Sequence, residues 1–269
     1  VNISNPSNPQ SEGSVTGTNN LNLENLDIYG DLLAICAHAG GVLLYDISNP
    51  SDPSYTSTIN TNNAWAVALN SNYAFIADEN KVLIYQVSNS SSPVYIGEIQ
   101  LSNAVKDLVL VENILYSAIG SDGIAMYEIN ESNPSIFQFI DNYNTNTMAN
   151  RITSFNGGIA IADWDDVDVV QWNGFELEHV AYKNTGNRTM AIAAKDNFVY
   201  SIEWASVQAF EFGQIQGPDL DLSTWELNYP YVENGESFSM TVDVINNGNE
   251  TLITSDNYTT NSEFNIINP

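Results

Sequence analysis

The chain has a single cysteine, six basic side chains and no long apolar run among its 269 residues. One cysteine excludes an intrachain disulfide, and its place in the apolar run Leu32-Leu-Ala-Ile-Cys-Ala predicts a small buried core residue. No segment approaches the roughly 18 apolar residues that a membrane-spanning helix needs. Apolar residues nowhere recur with the helical period of 3.6, so a helical fold is not expected.

Charge is scarce as well, at 14% of residues against roughly 25% in an average protein, and it is mostly of one sign. The 33 Asp and Glu face six Lys and Arg, which gives a formal net charge of −27. Such a surface repels phosphate backbones and anionic lipid, so nucleic acid and membranes are not expected as partners. It suits a salty extracellular setting where counter-ions screen the repulsion, but a surface bias of the whole lineage explains it equally well.

What the chain does have is a repeated phrase: an apolar strand, an Asn/Ser/Pro turn and a second short strand. Copies are Val1-Asn-Ile-Ser-Asn-Pro, Leu44-Tyr-Asp-Ile-Ser-Asn-Pro, Ile84-Tyr-Gln-Val-Ser-Asn-Ser and Met126-Tyr-Glu-Ile-Asn-Glu-Ser-Asn-Pro. The equivalent residues Ile3, Ile47, Val87 and Ile129 are 44, 40 and 42 residues apart. A period near 40 in an all-β pattern is typical of the four-stranded blades of a β-propeller.

Residues 64–99 define one predicted blade. Its four strands are Ala64–Leu69, Tyr73–Ala77, Val82–Val87 and Val94–Ile99, with turns rich in Asn and Ser between them. The two middle strands are apolar at almost every position. This pattern is expected of sheets that neighbouring blades cover on both faces.

The phrases Tyr73-Ala-Phe-Ile-Ala-Asp, Val82-Leu-Ile-Tyr and Asp46-Ile-Ser-Asn-Pro together resemble the LVIVD repeat family of bacterial and archaeal surface propellers. The resemblance covers residues 1–213, is strong over residues 21–140 and weakens after Asn150, where the Ser-Asn-Pro turn is lost. It implies a β-propeller and an extracellular address. It implies no catalytic set.

The number of blades has two interpretations. Four complete blades from about Leu21 to Val180 and three further strands from Arg188 to Phe212 predict a five-bladed ring, with Gln10–Val15 as the missing outer strand. Alternatively, Val1-Asn-Ile-Ser is the third strand of an earlier blade, which predicts six or seven blades.

After a predicted linker at residues 214–217, residues 218–269 have a different character. Phe238, Met240, Val242 and Val244 alternate with polar residues, which predicts a half-buried strand. The phrase Gly235-Glu-Ser-Phe-Ser-Met-Thr-Val-Asp-Val-Ile-Asn-Asn-Gly resembles the immunoglobulin-like, CARDB- and ASH-like domains of bacterial surface proteins. The resemblance implies a partial Ig-like β-sandwich after the propeller.

Turns between second and third strands share one rim with the loops that lead into the inner strands, and such loops carry function on rigid scaffolds. Residues that begin the inner strands are predicted to ring the channel mouth there. Three of the six basic residues fall at or beside this collar, which predicts a site for an anionic ligand or a carbohydrate. The predicted site residues are Asn25, Trp65, Lys106, Arg151 and Arg188. Alternatively, the cations simply pair with acidic neighbours, and the tryptophans fill the core.

Asp163, Asp165 and Asp166 form the densest acidic cluster and are candidate calcium ligands, with help from Asp122 or Glu203, because Ca²⁺ prefers carboxylate oxygens. The run lacks the Gly and the distal Glu of an EF-hand loop. Strand alternation is expected to place Asp163 and Asp165 on the face opposite Asp166 and Asp168, which argues against one compact site. A solvated hairpin tip explains the cluster equally well, and no other cofactor is predicted.

The sequence contains no recognisable catalytic set. His38 and His179 belong to no zinc-like spacing, and no Ser-His-Asp triad can be assembled. These features predict a non-enzymatic extracellular or cell-surface propeller that binds a protein or glycan partner, with the Ig-like domain as a spacer. One alternative is a lyase or hydrolase at the channel mouth, in which Asp107, Arg151 and Asp163 converge. The other is a structural or auxiliary subunit of a secreted assembly.

Overall fold

The computed structural model describes residues 2–213, 220–222, 237–246 and 251–253. The chain divides into two compact units, Val1–Glu211 and Phe212–Pro269. No helix in the described ranges is long and apolar enough to cross a membrane. The predicted linker at residues 214–217 lies outside the described residues.

The first unit consists of five antiparallel sheets, each ordered from an inner to an outer strand. Blade 1 contains β1 (Asn25–Tyr29), β2 (Leu32–Cys36), β3 (Val42–Asp46) and β4 (Ser54–Ile59). Blade 2 contains β5 (Ala64–Leu69), β6 (Tyr73–Asp78), β7 (Lys81–Gln86) and β8 (Val94–Gln100). Blade 3 contains β9 (Asp107–Val111), β10 (Ile114–Ala118), β11 (Ile124–Ile129) and β12 (Phe137–Tyr143). Blade 4 contains β13 (Ala149–Phe155), β14 (Gly158–Asp163), β15 (Asp166–Trp172) and β16 (Leu177–Asn184).

Blade 5 contains β17 (Thr189–Lys195), β18 (Phe198–Glu203) and β19 (Val207–Glu211). The predicted all-β propeller of five blades is therefore confirmed. Blade 5 has three strands among the described residues. Gln10 forms a bridge with Asn2, so the described residues do not show the predicted pairing of Gln10–Val15 with this blade.

The core lies between the blades. Alternate side chains of one middle strand point to opposite neighbours: Ala74 and Ile76 pack in the cluster shared with blade 1, whereas Phe75 and Ala77 pack in the cluster shared with blade 3. A third cluster joins blades 3 and 4. Both faces of these strands are buried, which is why the middle strands are apolar at successive positions.

The Asn/Ser/Pro phrase forms the turn between third and fourth strands. In blade 1 the Asn49 side-chain oxygen accepts the Ser51 N–H at 3.2 Å, and in blade 2 Asn89 accepts the Ser91 N–H at 3.2 Å. Asn favours such turns because its short side chain bonds the backbone two residues on. These turns, together with those joining first and second strands, form what we call the lower rim.

Gly123 marks the close approach of the chain at the start of β11. Its φ is +79°, and a Cβ atom there would lie 2.1 Å from the Tyr143 carbonyl oxygen. We expect Gly123→Ala to lower the free energy of unfolding by about 2 kcal/mol or more, through backbone strain and this clash. Urea denaturation measures the change. Gly157→Ala is the matched control, since Gly157 has φ +77° with open space around it; equal losses in both variants would contradict the steric part.

The second unit contains a two-stranded antiparallel sheet of β20 (Leu220–Leu222) and β21 (Val244–Asn246). Only the end of the predicted strand over residues 238–244 is therefore a strand. Phe238 and Met240 are exposed rather than half-buried. The described part of this unit does not show the Ig-like sandwich.

Candidate functional site

We call the opposite end of the blades the upper rim. It consists of the turns between second and third strands and the segments that lead into the inner strands. One turn residue in each of blades 1 to 4 has positive φ, and its carbonyl accepts an N–H at the start of the next blade. The pairs are His38 with Ala64 at 3.1 Å, Glu79 with Val105 at 2.8 Å, Gly120 with Ala149 at 3.0 Å, and Trp164 with Thr189 at 2.5 Å. These bonds fix the upper rim of each blade to its neighbour.

Strand register places the predicted collar residues at two levels rather than one. Asn25, Asp107 and Arg151 occupy equivalent positions in their blades. Each lies opposite the same position of the second strand, which is Cys36, Ala118 and Ala162 respectively. The residue above each is one position earlier: Glu24, Lys106 and Asn150. Trp65 belongs to this upper level, since the register shifts between Ala64 and Ala66.

A charge cluster joins these levels across the channel mouth. Glu24 forms an ion pair with Arg151 through one carboxylate oxygen, and its other oxygen lies 3.3 Å from His38 Nε2. Arg151 also donates to the carbonyls of Lys106 and Asn150, each at 3.0 Å. The arginine therefore holds blades 1, 3 and 4 together at this point.

Trp65 is the aromatic centre of the mouth. The His38 ring meets it edge-on at a centroid distance of 4.9 Å, and Lys106 Nζ lies 4.3 Å from the indole centroid. Cation–π contacts of this kind orient a lysine without neutralising it. Asn25, Trp65, Lys106 and Arg151 thus lie together at the mouth, and their role as a binding site stays a prediction.

Glu24 and His38 are the members of this cluster that sequence reasoning missed as site residues. Glu24 precedes the predicted site residue Asn25 by one position. Only the strand pairing of blades 1 and 3 shows that Glu24 is at the same level as Lys106. Matching the phrase Leu33-Ala-Ile-Cys-Ala-His to Tyr73-Ala-Phe-Ile-Ala-Asp pairs His38 with Asp78. In the structure, its positive φ and the bond from the Ala64 N–H make His38 the equivalent of Glu79 instead. That one-residue shift is enough to move its side chain onto the mouth.

Asp107 lies beneath the mouth and is buried. Its carboxylate accepts the Ile152 N–H at 2.9 Å and its own neighbour Leu108 N–H at 3.0 Å, and Asn25 donates to it at 3.3 Å. Inner strands are sheet edges, so their free N–H groups need such partners. Burial raises the pKa of Asp107 to about 6, against the lowering effect of these N–H groups and of Arg151.

A cavity of about 340 Å³ follows the channel, lined by residues of all five inner strands, among them Asn25, Asp27, Asp107 and Arg151. Asp27 accepts the Leu69 N–H at 2.7 Å. Each of these polar groups already has a protein partner. The channel wall is therefore polar but internally satisfied.

Arg188 lies apart from this cluster, at the upper rim between blades 4 and 5. Its guanidinium stacks on Trp164 at 4.3 Å, and its carbonyl accepts the Trp204 N–H at 3.0 Å. Arg188 is exposed, and Trp204 is 72% exposed. The structure thus divides the predicted site residues into a mouth cluster and an Arg188 patch.

The acidic cluster of blade 4 has a different arrangement from the expected one. Asp163 and Asp166 are directly opposite in register and share one face, which corrects the predicted alternation. Asp163 accepts the Thr147 N–H at 3.1 Å, and Asp165 accepts the Thr147 hydroxyl at 3.2 Å. Burial raises the pKa of Asp163, and it raises that of Asp166 to about 7 with help from Asp165.

Two oxygens of this cluster, one on Asp163 and one on Asp166, have no protein hydrogen-bond partner. Within the described ranges, no group of three or more His, Cys, Asp or Glu is arranged to hold a metal ion. Calcium at Asp163, Asp165 and Asp166 therefore stays a prediction.

The three groups that an enzyme was expected to use bond to different partners. Arg151 binds Glu24, Asp107 binds backbone N–H groups of β9 and β13, and Asp163 binds Thr147. No hydrogen bond or ion pair within the described chain joins Asp163 to either of the other two.

Five blades around a channel define a β-propeller. The LVIVD repeat family matches residues 1–17, 23–61 and 62–100, so the chain carries LVIVD repeats in its N-terminal part. The match ends with blade 2, although blades 3 to 5 continue the same strand order. A comparison with curated proteins gives no match.

Two solved structures have a similar fold. The computationally designed Ika8 protein is 13% identical, with a TM-score of 0.57 over 71% of this chain and 58% of its own. A functionally unknown protein from Desulfotomaculum acetoxidans is 10% identical, with a TM-score of 0.58 over 72% of this chain and 67% of its own. The chain thus spans 58% of the length of the first of them. At these identities the likeness concerns the fold alone.

Proposed function

We propose that this chain is a non-enzymatic, secreted or cell-surface binding module that holds a protein or glycan partner on the upper rim. The observation that supports this most is the distribution of its few cations. Five of the six basic residues lie at or next to the upper rim, and only Lys195 ends a strand at the lower rim; the five are Lys81, Lys106, Arg151, Lys183 and Arg188.

Aromatic side chains accompany these cations. Trp65 lies under Lys106, Trp164 lies under Arg188, and Trp204 is largely exposed beside it. Flat aromatic faces next to cations suit a ligand that has both apolar faces and acidic groups, as acidic sugars do. A net charge of −27 argues against phosphate backbones as partners.

The Arg188 patch is the more accessible half of this surface. Arg151 is already bound by Glu24 and two backbone carbonyls, whereas Arg188 is exposed and its guanidinium lies on the Trp164 ring. A lyase or hydrolase would instead need Asp107, Arg151 and Asp163 to act together, and their separate bonding partners do not support this alternative.

An extracellular address and an Ig-like spacer belong to the same proposal. Support comes from the resemblance of residues 235–248 to surface domains and from the acidic, base-poor composition. Surface labelling of intact cells tests the address. A protein found only in the cytosol would contradict it.

We expect Arg188→Glu to weaken binding to an acidic glycan by at least about tenfold, because it removes a cation next to aromatic faces and adds an anion. A glycan array of matched acidic and neutral sugars, probed with the full chain, identifies the ligand, and titration calorimetry measures its affinity. Lys195→Glu is the matched control: it makes the same charge reversal at the last residue of β17, the strand that Arg188 immediately precedes.

The control variant should bind within about twofold of the unchanged chain. Equal losses in both variants would mean that overall charge, not the upper rim, determines binding, and no loss in either would contradict the proposed surface. Circular dichroism and the melting temperature confirm that both variants remain folded.

A further inference from the structure

The side of blade 5 that points away from blade 4 is apolar and exposed. In blade 2 the equivalent positions are covered by the next blade: Phe75, Ala77 and Val82 are each 0% exposed. Strand register aligns these three with Tyr200, Ile202 and Val207 of blade 5. Those side chains are 38%, 50% and 70% exposed. Blade 5 therefore carries the apolar interface residues of a blade that packs against a following one, but here these residues are exposed.

Blade 1 has a complementary feature on its opposite face. Leu26 and Ile28 of its inner strand are 58% and 52% exposed, whereas their equivalents in blade 2, Val67 and Leu69, are 3% and 7% exposed. The inner half of the seam between blades 5 and 1 is thus bounded by uncovered apolar side chains on both sides. Uncovered apolar area of this kind marks interaction surfaces.

The outer half of the blade 1 face is covered, by the N-terminal segment. Val15 and Leu21 pack on the cluster that contains Leu33, Ile35 and Tyr45. The Tyr45 hydroxyl also donates to the Thr16 carbonyl at 2.5 Å. Ile59, the last residue of β4, packs on the cluster between blades 1 and 2 in the way that Val15 packs on the outer half of the blade 1 face. Val15 therefore stands where the outer strand of a preceding blade would end.

Residues 2–10 form the turn that precedes such an outer strand. Asn2 bridges Gln10 with the same eight-residue separation as Asp46 and Ser54 in blade 1. The Asn5 side chain accepts the Ser7 N–H at 3.2 Å, as Asn49 accepts that of Ser51. Residues 2–15 thus share the turn, one bridge and the terminal packing contact of the outer half of a blade, although residues 11–15 form no strand.

We propose that the seam between blade 5 and blade 1 is the docking surface for the inner β-hairpin of one further repeat, whose outer half is residues 2–15. The occupant is a two-stranded antiparallel hairpin with apolar side chains on both faces, as in β5 and β6. Continuity with the four existing blade interfaces supports this choice. A second copy of the chain is a poorer occupant, because two copies of charge −27 repel each other.

The test uses a thiol at the seam. Ile202→Cys introduces an exposed cysteine, and Cys36 does not interfere because it is buried, with 0% exposure. An extended chain carries a copy of residues 62–84 directly before Val1, since Tyr85 is the repeat equivalent of Val1. We expect the extension to slow thiol labelling of the Ile202→Cys variant at least about tenfold and to raise the melting temperature by several degrees.

The matched control carries the same extension with the apolar residues of the copied strands replaced by serine, and it should label as fast as the original length. Labelling that stays fast with the unaltered extension overturns the proposal. Protection of the Ile202→Cys variant at its original length also overturns it: concentration-dependent protection identifies a second copy as the occupant, and concentration-independent protection identifies another part of this chain.

If the extended chain does not fold, a second measurement tests the proposal in its place. A synthetic hairpin of residues 62–79 is then added to the Ile202→Cys variant at its original length. Saturable slowing of labelling supports the proposal. Labelling that is unchanged up to millimolar hairpin contradicts it.

Discussion

Phe75→Ala lowers the free energy of unfolding of the propeller unit by about 3–5 kcal/mol, the largest effect we expect of any single truncation. Phe75 is fully buried between blades 2 and 3, in the cluster that includes Val82, Ile84 and Leu115. Its removal loses the transfer free energy of the ring and leaves a cavity in a rigid interface. Urea denaturation followed by tryptophan fluorescence measures the change.

Tyr200→Ala is a control with the same place in the repeat. Tyr200 is the blade 5 equivalent of Phe75 but is half-exposed, so its truncation should cost less than about 1 kcal/mol. Similar losses at the two positions would show that the face of blade 5 is buried in solution. The pair therefore tests the interface and the open seam together.

We expect the propeller to become less stable as the pH rises from about 4 to 7, with Asp107 as one of the causes. Burial raises the pKa of Asp107 to about 6 from its ordinary 3.8, so the folded protein binds this proton more tightly than the unfolded chain does. The unfolding free energy then falls as the pH rises between these two values. The difference between the folded and unfolded pKa values corresponds to at most about 3 kcal/mol of unfolding free energy. This contribution is fully lost at pH values above the folded pKa.

Asp107→Asn should remove this share of the pH dependence while the protein still folds. The equivalent residue in blade 1 is Asn25, whose side-chain oxygen accepts the Val67 N–H as Asp107 accepts that of Ile152. Asp27, Asp163 and Asp166 have raised pKa values as well, so a smaller slope of the same sign remains. Chemical denaturation at half-unit steps from pH 4 to 8 measures both slopes.

Asp46→Asn is the control for this experiment. Asp46 is exposed, and its bond from the Ser48 N–H lowers its pKa below the ordinary value, so it titrates outside this range. The equivalent position of the N-terminal repeat phrase is Asn2, so the asparagine of the control variant already occurs naturally at this place in the repeat. The control should keep the slope of the unchanged protein, and a slope that Asp107→Asn also leaves unchanged would contradict the assignment.

Strand order and blade identity could be predicted because their causes are local. Continuous apolar runs such as Val82-Leu-Ile-Tyr identify middle strands, and Asn-Pro turns identify the outer hairpins. The level of each residue at the mouth could not be predicted. Bulges at Trp65, Asn150 and Met190 shift the register by one residue, and no periodicity in the sequence marks them.

The sequence by itself determined that this protein has few cations, one thiol and a β-repeat of about 40 residues, and hence that it is a propeller. Only the tertiary structure decided which of those cations pair with an acidic side chain and which are exposed. Arg151 is held by Glu24, 127 residues away in the chain, whereas Arg188 remains exposed on Trp164. The physical reason is that a propeller brings together the starts of inner strands some 40 residues apart, and a one-residue bulge determines which side chain faces the channel. The sequence shows at once that basic residues are scarce, and the tertiary structure shows that five of the six lie at or next to the upper rim.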